Sequence, residues 1–119
     1  MALKFQAAGT IAAGGVANTG AAHTVGRYEC VDLYYSVAFG DGDKSLVLTV
    51  EVSDDGSTWR AVPVRDLGDT GGKYVASKTI TADGSSVLRL ETQAQHVRLS
   101  AVNNSENACT LTAEGFVGR

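Results

Sequence analysis

Proton-transfer chemistry at neutral pH needs a side chain that titrates there, and this 119-residue chain has two of the usual kind, His23 and His96. A hydrolase or transferase needs such a base beside a nucleophile and a third group that orients it. His23 stands in an Ala-rich N-terminal stretch that is not expected to hold it in place for this task. His96 opens the segment His96-Val97-Arg98-Leu99 on its polar side, where a solvated or hydrogen-bonded ring is the simpler reading. No catalytic residue is assigned, and the chain is expected not to be an enzyme.

Metal chemistry is no better supplied. Cys30 and Cys109 are 79 positions apart, and neither has a Cys or His companion at two-residue spacing, so closely spaced zinc ligands are lacking. Two small apolar side chains, kept reduced, are the default reading for them. Asp41, Asp43, Asp54 and Asp55 carry the hard oxygens that calcium prefers. They flank Gly42 and Gly56, however, and Asp with Gly is what tight turns require. No glycine-rich loop is followed by Lys-Ser or Lys-Thr, which removes a phosphate cradle. No metal and no cofactor is expected.

Arg60, Arg65, Arg89 and Arg98 are interspersed with acids, and the formal net charge is −3. Such a surface has no diffuse attraction for nucleic acid or an anionic membrane, and neither is expected as a partner. Stacking on a sugar ring would fall to Trp59, with Tyr28, Tyr34, Tyr35 and Tyr74 as the other aromatic platforms. Trp59 lies beside a turn, where covering a core or sheet edge is the commoner role. It is the residue singled out here for a ligand or edge contact.

The elements that would hold these residues are strands. Apolar residues make up 44% of the chain, but they comprise 16 Ala, 14 Val and 9 Leu against 2 Ile, and they are accompanied by 11 Thr and 14 Gly. Val and Thr favour strands, Gly favours turns, and the length suits one domain. Val31, Leu33, Tyr35, Val37 and Phe39 alternate with Cys30, Asp32, Tyr34 and Ser36, which predicts a long strand with one apolar face. After the break at Gly40-Asp41-Gly42-Asp43, Leu46, Leu48, Val50 and Val52 define a second strand, joined to the first as a hairpin or across two sheets.

Ser53-Asp54-Asp55-Gly56-Ser57-Thr58-Trp59 has the composition of a tight hairpin turn. Pro63 cannot donate to a ladder, so the strand after the turn sits at an edge or ends there. A loop follows over 67–72, and further strands are predicted over 74–81, 86–91, 96–102 and 108–117. No window shows a helical apolar stripe. Together these features predict an all-β fold, a β-sandwich or jelly roll of about seven or eight antiparallel strands.

Residues 1–26 differ from the rest, being mostly Ala, Gly, Thr and Val, and such small side chains bury little area each. They are expected to form an N-terminal arm with weak strand content, leaving 27–119 as the sandwich. Deleting residues 2–20 is then expected to leave the domain folded. The start Met1-Ala2-Leu3-Lys4-Phe5-Gln6 lacks a basic region followed by an apolar stretch, and no apolar run is long enough to span a bilayer. Neither a signal peptide nor a membrane span is expected.

The stretch Glu51-Val52-Ser53-Asp54-Asp55-Gly56-Ser57-Thr58-Trp59, followed by His96-Val97-Arg98-Leu99 and Thr110-Leu111-Thr112, resembles small virion proteins of tailed bacteriophages. Those proteins run from a Gly/Thr/Ala-rich beginning through a long apolar strand to this kind of hairpin, so the resemblance covers most of the chain in order. It implies a head decoration (cement) protein that sits on the outside of a capsid and clamps neighbouring major capsid protein subunits. A homotrimer or homodimer, made in the host bacterial cytoplasm and ending on the outer capsid surface, follows from the same resemblance. The arm residues Phe5, Thr10, Ile11 and Val16 are the expected capsid or inter-subunit contacts. Another virion component, from tail or fibre, is one alternative. Similar Asp-Gly-Ser-x-Trp turns in carbohydrate-binding sandwiches make a glycan-binding module with Trp59 at its site the other.

Overall fold

A computed structural model describes residues 2–4, 9–18, 23–24, 30–69, 71–92 and 94–118. Its strands are β1 (Ala2–Lys4), β2 (Gly9–Ile11), β3 (Val16–Asn18), β4 (His23–Thr24), β5 (Cys30–Phe39), β6 (Leu46–Ser53) and β7 (Arg60–Ala61). They continue with β8 (Val64–Asp66), β9 (Lys73–Val75), β10 (Lys78–Ile80), β11 (Gly84–Leu90), β12 (His96–Asn103) and β13 (Cys109–Gly118). Among the described residues no helix is long and apolar enough to cross a membrane.

The strands form two antiparallel sheets packed as a sandwich. A seven-stranded sheet has the order β1-β13-β5-β11-β8-β9, with β2 also on β13. A six-stranded sheet has the order β10-β6-β12-β3, with β4 on β12 and β7 on β6. The alternation legible in the sequence sets the inner faces. Val31, Leu33, Tyr35 and Val37 of β5 and Leu111 and Ala113 of β13 meet Leu46, Leu48 and Val50 of β6 and Val97, Leu99 and Ala101 of β12 in one core. Cys109 is buried in that core and Cys30 is half-buried, both as free thiols.

Three features of the pattern resolve differently from, or more sharply than, the sequence reading. β5 and β6 lie in opposite sheets, so the chain crosses the sandwich at Gly40-Asp41-Gly42-Asp43 rather than folding back as a hairpin. The strand expected over 74–81 is two strands. β9 pairs with β8 in one sheet and β10 with β6 in the other, and the exposed small pair Ala76-Ser77 carries the chain across. Pro63 falls between β7 and β8, where another crossing occurs and no ladder donor is needed.

The largest correction concerns the N-terminus. In its described residues it is not an arm standing apart from the domain. β1 and β2 lie end to end along β13, and β3 and β4 lie end to end along β12, so the segment closes the same side of both sheets. Open edges present unpaired N–H and C=O groups, and this covering satisfies them. Ile11, expected as an outward contact, is only 5% exposed and belongs to the core, because its strand parity on β2 turns it inward opposite Cys109. The deletion of residues 2–20 is accordingly expected to cost stability, contrary to the reading from composition.

Candidate functional site

The outer face of the seven-stranded sheet is organised in rows, each row being the cross-strand neighbours set by the register. One row runs Tyr74, Arg65, Arg89, Asp32, Phe116 across β9, β8, β11, β5 and β13. It is charged and internally paired. Arg89 makes a forked contact to Asp32 at 2.7 and 3.0 Å, and that carboxylate holds the guanidinium above its ordinary pKa. Arg65 lies over the Tyr74 ring at 4.5 Å and donates to its hydroxyl at 2.6 Å, while Tyr74 donates to Glu91. The Tyr74 hydroxyl, followed by Arg65, holds the Glu91 carboxyl below its usual range.

The next row is Val87, Tyr34, Glu114, and the one beyond it is Ser85, Ser36, Thr112. Tyr34 is 49% exposed and Phe116 42%, and their rings meet edge to face at 5.5 Å and 87°. That contact steadies the Tyr34 ring on the open face. Beside it the three small hydroxyl residues leave a depression of about 410 Å³, whose lining includes Tyr34, Ser36, Ser85, Val87, Thr112 and Glu114 and, from the strand positions between them, Tyr35 and Ser86. Small-ligand sites commonly span ~300–1,000 Å³, so the volume is in range. The lining carries no titrating base and no thiol; it is suited to holding a ligand.

Beneath this face, Tyr35 points into the sandwich near the pair Lys78 and Asp66, 2.7 Å apart. Burial pushes the Tyr35 phenol up, and a hydrogen bond with Ser86 partly offsets it. A Cβ on Gly68 would lie 2.0 Å from the Ser86 hydroxyl oxygen, which would have to move to admit it.

The residues singled out from the sequence are dispersed. Phe5 and Tyr28 lie outside the described residues. Thr10 is exposed on β2 opposite Thr110, and Val16 is 64% exposed on β3, while Ile11 is internal. Trp59 is half-buried, with the Arg98 guanidinium 4.3 Å above its ring and Arg98 in turn 2.9 Å from Glu51. It covers the outer face of the six-stranded sheet, and one of its own faces is occupied.

Ser53 is the cross-strand partner of His96, and the His96 ring lies beside Gly56 of the adjoining turn. The arrangement is that of a turn. Ser53 is buried and donates its hydroxyl to Asp55 at 2.9 Å, and it accepts from the Gly56 N–H at 2.9 Å. Asp54 and Asp55 belong to this turn, and Asp41 and Asp43 to the crossing between β5 and β6. Among the described residues no group of three His, Cys, Asp or Glu is placed to hold a metal ion.

No protein-family model matches the chain, and no curated protein matches it in sequence. Solved structures match in fold. The chain is similar over 99% of its length to the PBSX exported protein XepA, with a TM-score of 0.65 and 13% identity. It spans 37% of that protein, about a third of its length. It is similar over 98% of its length to the SPBc2 prophage-derived protein YomS, covering 90% of that chain, with a TM-score of 0.58 and 16% identity. A chain in the structure of infectious bursal disease virus, Gx strain, is similar over 97% of this chain and 31% of its own length, with a TM-score of 0.55 and 11% identity. At these identities the likeness is one of fold, an all-β sandwich.

Proposed function

We propose that this chain is a non-enzymatic virion component of a tailed bacteriophage, and specifically a head decoration (cement) protein that binds major capsid protein subunits on the outer surface of the head. The observation that carries the reading is the near end-to-end fold match with a prophage-derived protein of similar size, 98% of this chain against 90% of the other. The ordered motifs support it from the sequence side: Ser53-Asp54-Asp55-Gly56-Ser57-Thr58-Trp59 is the β6–β7 turn, and His96-Val97-Arg98-Leu99 begins β12.

Contacts to the capsid or to a neighbouring copy are assigned to the N-terminal side of the sandwich, where Val16 and Thr10 are exposed on edge strands. An edge strand offers main-chain hydrogen bonds as well as side chains. A homotrimer or homodimer on a local symmetry axis would repeat this contact, and repetition multiplies a modest affinity by avidity. Expansion of the head creates seams, and a protein that binds only the expanded lattice stabilises it by mass action. Cosedimentation with expanded, undecorated heads tests the reading; immunogold labelling at the tail instead of the head would place the chain elsewhere on the particle.

A further inference from the structure

We infer that the depression on the outer face of the seven-stranded sheet is a binding site for a neutral oligosaccharide. This goes beyond the decoration reading and does not depend on it. The class of ligand follows from the lining. Ser36, Ser85 and Thr112 form a row of three hydroxyls on neighbouring strands, roughly 5 Å apart by sheet geometry. Each can donate and accept, and none has a side-chain hydrogen-bond partner among the described residues. A ligand whose own groups both donate and accept along a similar spacing satisfies them, and a ring bearing several hydroxyls is such a ligand.

Other classes fit less well. An anion would meet Glu114 and find no cation among the lining residues, since Arg89 and Arg65 are already paired one row or more away. A purely apolar ligand would bury three hydroxyls and a carboxylate without partners, which is unfavourable. A saccharide lays a C–H face on an aromatic ring and directs its hydroxyls sideways. Tyr34 supplies the ring, packed edge to face against Phe116, and Glu114 on the adjacent strand is placed to accept from an O–H. The Tyr34 hydroxyl adds a donor at the rim. The volume of about 410 Å³ lies at the lower end for small-ligand sites, which suits a short segment of a longer glycan.

The full chain, labelled with ¹⁵N, is screened on an array of neutral glycans and titrated with maltohexaose, cellohexaose, mannohexaose and chitohexaose at millimolar concentration. At least one saccharide is expected to move the amides of residues 34–36, 85–87 and 112–114 together. Tyr34→Ala is expected to weaken that binding by about tenfold or more, equivalent to ~1.4 kcal/mol. Thr112→Val is expected to weaken it while keeping the strand, and circular dichroism verifies that both variants stay folded. Trp59→Ala is expected to bind as the parent does. Silence on the array and with all four hexasaccharides overturns the inference, as does unaltered binding by folded Tyr34→Ala. Shifts centred on Trp59, or movement of the same amides with protein concentration alone, overturn it in favour of a different site or a second copy on this face. Pelleting with capsids is read separately, so either proposal can fail without the other.

Discussion

The side-chain amide of Asn103 donates to the main-chain carbonyl of Ile11, 2.9 Å away across 92 positions of sequence. The same nitrogen reaches the carbonyls of Ala12 and Asn107, and the side-chain oxygen accepts from the Ser105 N–H. Main-chain bonds from Gly14 to Asn103 and from Asn103 to Gly15 flank the contact. Asn103 is fully buried, so this cluster fastens the N-terminal strands to the end of β12.

Asn103→Ala leaves several buried polar groups without partners, each costing ~1–3 kcal/mol. The expected loss is about 2–4 kcal/mol in urea unfolding, within the upper range for single substitutions. Hydrogen exchange at residues 11–15 should rise before the rest of the domain opens. Unchanged exchange there would show that the segment is held by its ladders alone.

Lys78 neutralises Asp66, a carboxylate only 2% exposed, at 2.7 Å. Lys78→Met strands that charge between the sheets. Breaking a buried pair costs ~3–5 kcal/mol, and because the Lys78 side chain is one-third exposed the expected loss is nearer 2 kcal/mol. Adding Asp66→Asn should return part of it, which a double-mutant cycle measures. The hydrogen bond to Asp66 raises the Lys78 pKa, so the pair is fully present below about 10.5 and is lost as pH rises beyond it.

Asp55 titrates at about 2 in the folded chain against an ordinary 3.8, chiefly through hydrogen bonds from the Thr58 and Ser57 main chain and then the Ser53 hydroxyl. A depressed carboxyl stabilises the fold above its unfolded pKa. That contribution is lost as pH falls from about 4 through about 2. Urea midpoints of the parent and Asp55→Asn should differ near neutral pH and converge across this window. A gap that stays constant would remove Asp55 as the titrating group.

Trp59→Ala removes a ring stacked under Arg98 at 4.3 Å. A partly exposed stack of this kind contributes ~0.5–1 kcal/mol, with some lost apolar cover added. The expected loss is about 1 kcal/mol in stability, with capsid binding unchanged. A folded variant that no longer pellets would place Trp59 in the capsid contact.

The long strands were legible because their inner residues alternate without interruption: Val31 to Val37, Leu46 to Val52 and Val97 to Ala101 each read as one buried face, and each is one. That β6 turns back into β7 was legible because Gly56, at φ +80°, occupies a conformation that side chains disfavour, but the connection is a loop over 53–59 rather than a tight turn. What the sequence hid depends on long-range register. Gly9-Thr10-Ile11 has too little apolar area to signal a strand, and the residue that fastens its end, Asn103, reads as an ordinary turn residue beside Asn104. The split of 74–81 between sheets has no marker beyond two small residues. Tyr34 was visible as an aromatic, but nothing local says that Ser85 and Thr112, from distant strands, lie diagonally beside it around Ser36.

Sedimentation decides whether the chain attaches to a phage head as proposed. The purified chain, at micromolar concentration, is mixed with expanded and with unexpanded undecorated heads assembled from the major capsid protein of the same phage. Saturable pelleting is expected with the expanded heads, little with the unexpanded ones, and weakened pelleting for Val16→Lys with its fold intact. A chain that remains wholly in the supernatant with expanded heads contradicts the attachment.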